Sequence, residues 1–414
     1  MAAEVVSMTS MTAPPAENRY WRRNLAVCFG GSFTTIVAMT LLLPYLPLYV
    51  EQLGVPDRPA IVWWSGIAYG ATFFTAALAA PVWGMLADRY GRKPMLIRAS
   101  LGMAVSMSLI GVVTNVWQLV ALRFAVGLLG GYSSGATAMV AAQSPKAKTA
   151  WALGVLSAGI MAGNVVGPLA GGVLPHLIGV RNTFFLTGGL IFVAFLASVF
   201  LLKEQRPRRM TKAQRSEDRM RITHPGAVTV LLATASLLMF ATMSIEPIVT
   251  VYVQQLTDAA AYISVIAGVI MAVAAVGSIL SAPRLGKLAD RVGHSRVIVG
   301  CLAAAGALLV AQAAVTDSVQ LGILRFLMGL SLGGLLPCIT AAIRHRVDDG
   351  SVGRVLGFGV SAQYVGQVLG PLVGGFVGAY VGLRPVFVAT GVILLAGAAV
   401  NYLLAVTSSA SRHR

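Results

Sequence analysis

The stretch Gly-Met-Leu-Ala-Asp-Arg-Tyr-Gly-Arg-Lys at residues 84–93 returns as Gly-Lys-Leu-Ala-Asp-Arg-Val-Gly-His-Ser at residues 286–295. Two further segments repeat in the same order. They are a Leu-Arg-Phe segment at 122–127 and 324–329 and a glycine-rich run at 163–172 and 366–375. The partners are 202, 202 and 203 residues apart. Three matches in the same order at nearly the same spacing indicate an internal duplication, which is common among membrane transporters.

The composition of the chain is that of a membrane protein. Of its 414 residues, 57% are hydrophobic and 11% are charged, whereas about 25% of the residues in a soluble domain are charged. Twelve apolar runs are each long enough to cross a hydrocarbon core of about 30 Å as a helix. They lie at 24–50, 61–83, 94–114, 117–141, 150–175, 183–202, 226–252, 261–283, 296–315, 319–342, 354–379 and 384–407. The sequence therefore predicts an all-α integral membrane protein with six spans in each repeat.

Polar segments divide the chain into five parts. We expect a cytoplasmic arm at 1–23, a six-helix bundle at 24–202, a linker at 203–224, a second bundle at 225–407 and a tail at 408–414. The linker is rich in charged residues. That composition is compatible with an amphipathic helix on the membrane surface or with a disordered tether.

The net charge of +17 follows this topology. With both termini in the cytoplasm, basic residues concentrate in the arm, the tail, the linker and the loops on that side. The outer loops hold only Arg58, Arg181 and Arg384. This is the positive-inside distribution of a twelve-span protein. A basic surface that faces anionic lipid accounts for the charge, so we expect no nucleic-acid partner.

The repeated motifs resemble those of the major facilitator superfamily. Its signature loop between the second and third helices is matched by Gly84, Asp88, Arg89, Gly91, Arg92 and Lys93, and in the second repeat by Gly286, Asp290, Arg291 and Gly293. Arg123, with Gly127 and Gly131, resembles its second motif. The motif of its twelve-span drug:proton antiporters is matched by Gly159, Gly163, Gly167, Pro168, Gly171 and Gly172, and again by Gly366, Gly370, Pro371, Gly374 and Gly375. The runs around Trp83 and Trp151 are similar to the bacterial MdtG group of multidrug exporters.

This resemblance implies a major facilitator fold, in which two six-helix bundles are related by a pseudo-two-fold axis along the membrane normal. It also implies that Asp88 latches the halves at the cytoplasmic side, against the start of helix 11 near Gly353. A tight, charge-anchored turn is the alternative for Asp88. The resemblance implies that Arg123 couples proton movement to conformation. The alternative for Arg123 is a guanidinium that reaches the membrane interface.

One acidic residue lies within a predicted span. Of the 14 Asp and Glu residues, the others belong to the arm, the loops, the helix ends or the linker, and Glu246 lies in the apolar run of helix 7. A buried charge is costly unless a proton or a cationic group neutralises it. We therefore predict that Glu246 couples protons to transport, and the resemblance implies that Arg123 and Asp88 take part in the coupling. The alternatives are that Glu246 pairs with an arginine, reaches outside water, or caps a helix break at Pro247.

The predicted substrate site surrounds Glu246. Helix periodicity places Met239, Thr242, Met243, Glu246 and Thr250 on one face of helix 7, and methionine adapts to varied apolar shapes. The other predicted substrate-binding residues are Tyr45, Tyr132, Asn164, Tyr364 and Gln367. Bonding between helices is the alternative for the two amides, and packing is the alternative for the tyrosines.

These observations predict a proton-coupled efflux antiporter that exports amphiphilic drugs or toxic small molecules by alternating access. We expect a multi-pass protein of the bacterial inner membrane that acts as a monomer. Its predicted partners are small amphiphilic substrates, protons and the lipid bilayer, without a cofactor or metal. A dedicated exporter or importer of one metabolite, such as a sugar or siderophore, is the alternative, followed by a transport-dead sensor. We do not expect an enzyme, because no nucleophile with a neighbouring base and no phosphate-binding loop is apparent.

Overall fold

A computed structural model of the chain describes residues 20–204, 225–257, 259–347 and 352–410. Across these residues the structure is helical, with twelve long helical spans named α1 to α12 in chain order. The first six are Trp21–Gln52, Arg58–Tyr90, Arg92–Ile110, Val116–Gln143, Lys146–Ile178 and Val180–Leu201. The second six are Pro225–Leu256, Ile263–Val292, His294–Gln312, Ser318–Arg344, Val352–Tyr380 and Leu383–Ala410.

The twelve helices agree with the twelve predicted spans. Among the described residues, ten of these helices are long and apolar enough to cross a membrane. The two that are not are α3 and α11. Nearly all of the predicted linker, most of the N-terminal arm and the end of the tail lie outside the described residues. The predicted helix or tether in the linker therefore stays a prediction.

The signature segment is mostly helical, which corrects the prediction of a loop at residues 84–93. α2 continues to Tyr90 and α8 continues to Val292, because nothing in either segment interrupts the helix before the next glycine. Gly91 and Gly293 alone separate these helices from α3 and α9, with φ angles of 101° and 97°. Residues with a side chain rarely adopt such backbone angles, so each turn requires its glycine.

Both α1 and α7 are interrupted by one turn of 3₁₀ helix at equivalent positions. The two turns are Leu43–Tyr45 and Glu246–Ile248. Each contains a proline, Pro44 or Pro247, which has no backbone N–H to donate and whose ring crowds the preceding turn. The α-helical hydrogen bonding is therefore interrupted at equivalent positions in the two repeats.

Glycines allow close packing within each half. A Cβ on Gly171 of α5 would overlap the carbonyl oxygen of Leu41 in α1. A Cβ on Gly374 of α11 would likewise overlap the carbonyl oxygen of Ser244 in α7. These equivalent contacts bring helix backbones together, which is how helices gain packing energy in lipid.

The two halves meet at one end of the molecule. We call the end that carries Gly91 and Gly293 the loop end and the opposite one the far end. Towards the far end, Gly66 of α2 packs on the carbonyl of Pro371 in α11, and Gly268 of α8 packs on the carbonyl of Pro168 in α5. The proline carbonyls would overlap a Cβ on either glycine, so these interfaces have no room for a side chain.

At the loop end the same helix faces are open. Gly84 lies 18 residues, or about five helical turns, after Gly66 and therefore on the same face of α2. A Cβ on Gly84 would have no neighbour within 4 Å, and the same is true of Gly286, which follows Gly268 on α8. The halves therefore touch at the far end and diverge towards the loop end.

Candidate substrate and proton site

A cavity of about 430 Å³ lies between the two halves. Helices α1, α2 and α5 of the first half line it, together with α7, α8, α10 and α11 of the second. Its polar lining consists of Thr40, Tyr69, Asn164, Thr242, Glu246, Ser278, Arg325 and Gln367. Charged groups come from the second half alone, so the cavity is chemically asymmetric.

Methionines supply much of the apolar wall. The five that line the cavity are Met39, Met161, Met243, Met271 and Met328. Their unbranched, polarisable side chains adjust to ligands of different shape. A wall of this kind suits a site that accepts varied amphiphilic molecules better than one built for a single ligand.

Glu246 enters this cavity at the helix break of α7. It is the first residue of the 3₁₀ turn, directly before Pro247. The proline therefore breaks the helix at the point where the carboxylate lines the cavity. Four residues further on, the Thr250 hydroxyl donates a hydrogen bond of 2.9 Å to the carbonyl of Pro44 in α1. This bond between the halves lies on the far-end side of Glu246.

Arg325 of α10 faces the same cavity. Its side chain is only 2% exposed, and its Nε and Nη2 atoms have no hydrogen-bond partner among the described residues. Glu246 is the carboxylate that interacts with it electrostatically. Within the described chain no ion pair of 4.0 Å or less joins the two groups. The cavity therefore presents a carboxylate and a guanidinium without a direct bond between them.

Arg123, the equivalent residue of α4, lies behind the cavity wall. Its side chain is 0% exposed, so it does not reach the membrane interface. Its Nε donates to the carbonyl of Ala68 over 3.3 Å, and its Cζ lies 5.7 Å from the centre of the Tyr69 ring. Tyr69 also lines the cavity. Arg123 thus contacts Tyr69, and Tyr69 in turn lines the cavity.

The cavity collects four of the predicted substrate-binding residues, Asn164, Met243, Glu246 and Gln367. The four others do not line it. Tyr45 and Tyr132 are buried inside the first half: Tyr45 packs on Phe184, and the Tyr132 hydroxyl lies 3.0 Å from that of Ser198.

The other two residues are on helices that do reach the cavity. The sulfur of Met239 accepts a hydrogen bond from Gln367 Nε2 over 3.6 Å, so Met239 lies in the interface between α7 and α11. Tyr364 is partly buried one turn before Gln367 on α11, and it does not line the cavity. Both residues thus lie beside the cavity without lining it.

Sequence reasoning missed Tyr69, Phe73 and most of the methionines. They belong to no repeated motif, and aromatic or methionine side chains in an apolar helix resemble packing residues. The signal that was available is the repeat itself. Tyr69 matches Met271, 202 residues later, and both line the cavity.

A second omission lies at the loop end. The Glu204 carboxylate accepts hydrogen bonds of 2.8 Å from the backbone N–H groups of Arg92 and Lys93, at the start of α3. A carboxylate at a helix N-terminus is favourable because free N–H groups point at it. The start of the linker is thus bonded to the signature segment. Asp88 is exposed at the end of α2, and in the second repeat His294 lies 3.7 Å from Asp290 of the same segment.

Comparison with known proteins identifies the family. The family model described as Major Facilitator Superfamily matches residues 28–283 and 231–414. The chain belongs to the major facilitator superfamily. It is therefore a multi-pass membrane protein with the fold of two related six-helix bundles, as predicted.

Curated relatives are similar over almost their whole length. Multidrug resistance protein MdtG of Yersinia enterocolitica is 41% identical over 397 residues, which are 95% of this chain and 95% of that protein. MdtG of Escherichia coli O1:K1 is 40% identical over 386 residues, 92% of this chain and 94% of that protein. The predicted resemblance to the MdtG group is confirmed.

Solved structures share the fold at low sequence identity. A bacterial homologue of the human lysosomal transporter Spinster, in an inward-facing and occupied conformation, has a TM-score of 0.76 at 17% identity and covers 94% of this chain and 97% of that chain. The human organic anion transporter MFSD10 has a TM-score of 0.66 at 19% identity and covers 94% of this chain and 100% of that chain.

Among the described residues, no group of three or more His, Cys, Asp or Glu side chains is placed to hold a metal ion.

Proposed function

We propose that this protein exports amphiphilic drugs or toxic small molecules in exchange for protons. The observation that carries the proposal is the cavity, where Glu246 and five methionines form one surface. The relatives that match most of the chain are named multidrug resistance proteins. A carboxylate that binds a proton and a cationic or neutral substrate in turn is sufficient for exchange, because each occupant displaces the other.

We place the loop end in the cytoplasm of a bacterium, with both termini on that side of the inner membrane. The basic residues of that end support this orientation. The structure is then open to the cytoplasm and closed to the outside. In this state an amphiphile enters from the cytoplasmic side and displaces the proton on Glu246. The chain carries out no covalent reaction, requires no cofactor and works as a monomer in the bilayer.

Alternation is proposed to use the glycine contacts at the far end. The interfaces of Gly66 with Pro371 and of Gly268 with Pro168 separate as the halves rock, and the loop end closes. In that state Asp88 contacts the start of α11 near Gly353, where the helix N-terminus favours an anion. Outside protons then load Glu246, substrate leaves, and the neutral carboxyl permits the return.

We assign the two arginines different parts in this cycle. Arg325 shares the cavity with Glu246 and stabilises the carboxylate when the proton has left. Arg123 contacts Tyr69 and couples the occupied cavity to the position of α2. Asn164 and Gln367 bind substrate through their amides, and Met243 contacts its apolar part.

Dye transport in everted membrane vesicles tests this function. Vesicles with the wild-type chain should accumulate a cationic dye when a proton gradient is imposed, and an uncoupler should abolish the accumulation. Glu246→Gln should reduce it to the level of vesicles without the protein, because the amide cannot exchange a proton. Asp57→Asn is the matched control, since Asp57 is an exposed acid whose side chain makes no capping hydrogen bond.

The outcomes separate the alternatives. Proton-driven transport that survives Glu246→Gln places coupling elsewhere. Transport of one compound and none of several unrelated amphiphiles would identify a dedicated exporter or importer. Dye binding without any counterflow of protons would identify a sensor.

A further inference from the structure

A second cleft lies at the loop end of the molecule. It has a volume of about 700 Å³, lies between the starts of α1 and α5, and shares no lining residue with the central cavity. Trp21 and Trp151 frame it, with ring centroids 6.3 Å apart and planes at 83°. Phe29 and Val155 extend its apolar wall towards the middle of the helices. The function proposed above makes no use of this cleft.

Two cations stand at the cleft. The Arg22 guanidinium carbon lies 5.4 Å from the centre of the Trp21 ring, and the Lys148 Nζ lies 5.8 Å from it. Both side chains are exposed, and neither is in an ion pair with a carboxylate in the described ranges. Two positive charges beside one indole ring therefore lack a counter-charge from the structured chain, and an anion placed between them would interact with both.

The position of the cleft at the end of the apolar spans indicates which kind of anion it can bind. Trp21 is the first residue of α1, and Lys148 lies in the first turn of α5, so the cations are at the boundary of the apolar spans. Tryptophan is enriched at this boundary, and basic pockets between helices on the cytoplasmic side bind lipid head groups. A soluble anion would satisfy the cations but leave the apolar wall of the cleft exposed.

We propose that this cleft binds one anionic phospholipid, with its phosphate between Arg22 and Lys148 and an acyl chain along Phe29 and Val155. The lipid would bridge α1 and α5 at the end where the two halves diverge. The equivalent positions of the second repeat, 203 residues later, hold Pro225 and Ser351. The second repeat therefore lacks this pair of cations at the equivalent positions. The proposal requires a bilayer and is independent of the transported substrate.

Quenching of tryptophan fluorescence tests the proposal. The full chain is placed in phosphatidylcholine nanodiscs that contain either brominated phosphatidylglycerol or brominated phosphatidylcholine with identical chains. Brominated phosphatidylglycerol should quench at a lower mole fraction. The double variant Arg22→Gln, Lys148→Gln should lose about five-fold of this preference for each cation removed, because a basic side chain near an anionic head group contributes about that factor. Its quenching by brominated phosphatidylcholine should not change, which also shows that it is folded.

A matched double variant controls for the loss of charge. Arg284→Gln, Arg296→Gln also removes two cations near the loop end. Arg284 donates to the carbonyl of Leu280 in its own helix, and Arg296 donates to the carbonyl of Val292 at the end of α8. This variant should keep the preference for phosphatidylglycerol. The charge-conserving pair Arg22→Lys, Lys148→Arg should keep most of it.

Four results would overturn the proposal. The first is equal quenching by the two brominated lipids in the wild-type chain. The second is an equal loss of preference in the two double variants, which would show attraction to the basic surface in general. The third is relief of quenching by glycerol phosphate alone, which would indicate a site for soluble anions. The fourth is quenching that appears only after residues 1–19 are deleted, which would make the N-terminal arm the occupant of the cleft.

Discussion

Arg123 and Arg325 occupy equivalent positions in the two repeats, yet their surroundings differ. Arg325 lines the central cavity opposite Glu246, whereas Arg123 lies behind Tyr69. The residue equivalent to Glu246, 203 positions earlier, is Leu43. One repeat thus presents a carboxylate and a guanidinium to the cavity, and the other presents neither.

The parts that hold the helices together are the same in both repeats. The Tyr49 hydroxyl donates to the carbonyl of Ile110 over 2.7 Å, and the equivalent Tyr252 hydroxyl donates to that of Gln312 over 2.9 Å. Each tyrosine also packs on an equivalent phenylalanine, Phe184 or Phe387. Duplication preserved the packing because both halves need it, while the charged chemistry of the cavity belongs to one half.

The largest expected effect comes from moving the carboxylate to the other repeat. The variant Glu246→Leu should have no proton-driven dye transport, and the double variant Glu246→Leu, Leu43→Glu should have none either, because its acid no longer faces Arg325. Transport in energised vesicles is the measurement. Recovery in the double variant to half of the wild-type rate or more would mean that the two halves are interchangeable.

The next effect concerns the equivalent glycines between the halves. Gly66→Val and Gly268→Val should each prevent closure at the far end and lower the dye transport rate strongly, because overpacking costs about 1–3 kcal/mol. Transport should fall to a similar extent in both variants. Gly189→Ala is the control, since its Cβ would meet nothing within 4 Å. A large effect in only one variant would show that the two interfaces do not act as a pair.

The two arginines should differ in binding. At a pH high enough to keep Glu246 ionised, Arg325→Gln removes a positive charge from the cavity and should raise the affinity for a monovalent cationic dye about five-fold, or about 1 kcal/mol. Arg123→Gln should leave that affinity nearly unchanged while lowering transport, because this guanidinium does not line the cavity. Fluorescence anisotropy in detergent measures the binding. Equal affinity changes in the two variants would contradict the asymmetry.

The smallest effect tests the shared scaffold. Tyr49→Phe and Tyr252→Phe each remove one hydrogen bond to a backbone carbonyl and should lower the free energy of unfolding by about 1 kcal/mol. Thermal unfolding followed by intrinsic fluorescence should show similar decreases of Tm in the two variants. A decrease confined to one of them would mean that the repeats differ in stability as well as in chemistry.

Much of the fold was predictable because its signals are local. Apolar runs specify membrane helices wherever they occur in a chain, and the repeated motifs at 84–93 and 286–295 specify the duplication. Glu246 was predicted for a related reason, because it is an acidic residue within an apolar span, where a charge is costly. Pro247 indicated a helix break next to Glu246. The sequence did not show that this break lies at the cavity.

The sequence by itself determined the number of helices, the pairing of the repeats, the glycines that allow close packing and the carboxylate of the cavity. These depend on spacing and on the cost of burying charge in an apolar segment. Only the tertiary structure decided which side chains meet. It placed Tyr69 between Arg123 and the cavity, turned Tyr45 and Tyr132 into the first half, and bonded Glu204 to the start of α3. Such contacts join residues far apart in the chain, and they depend on how helices rotate and bend against one another.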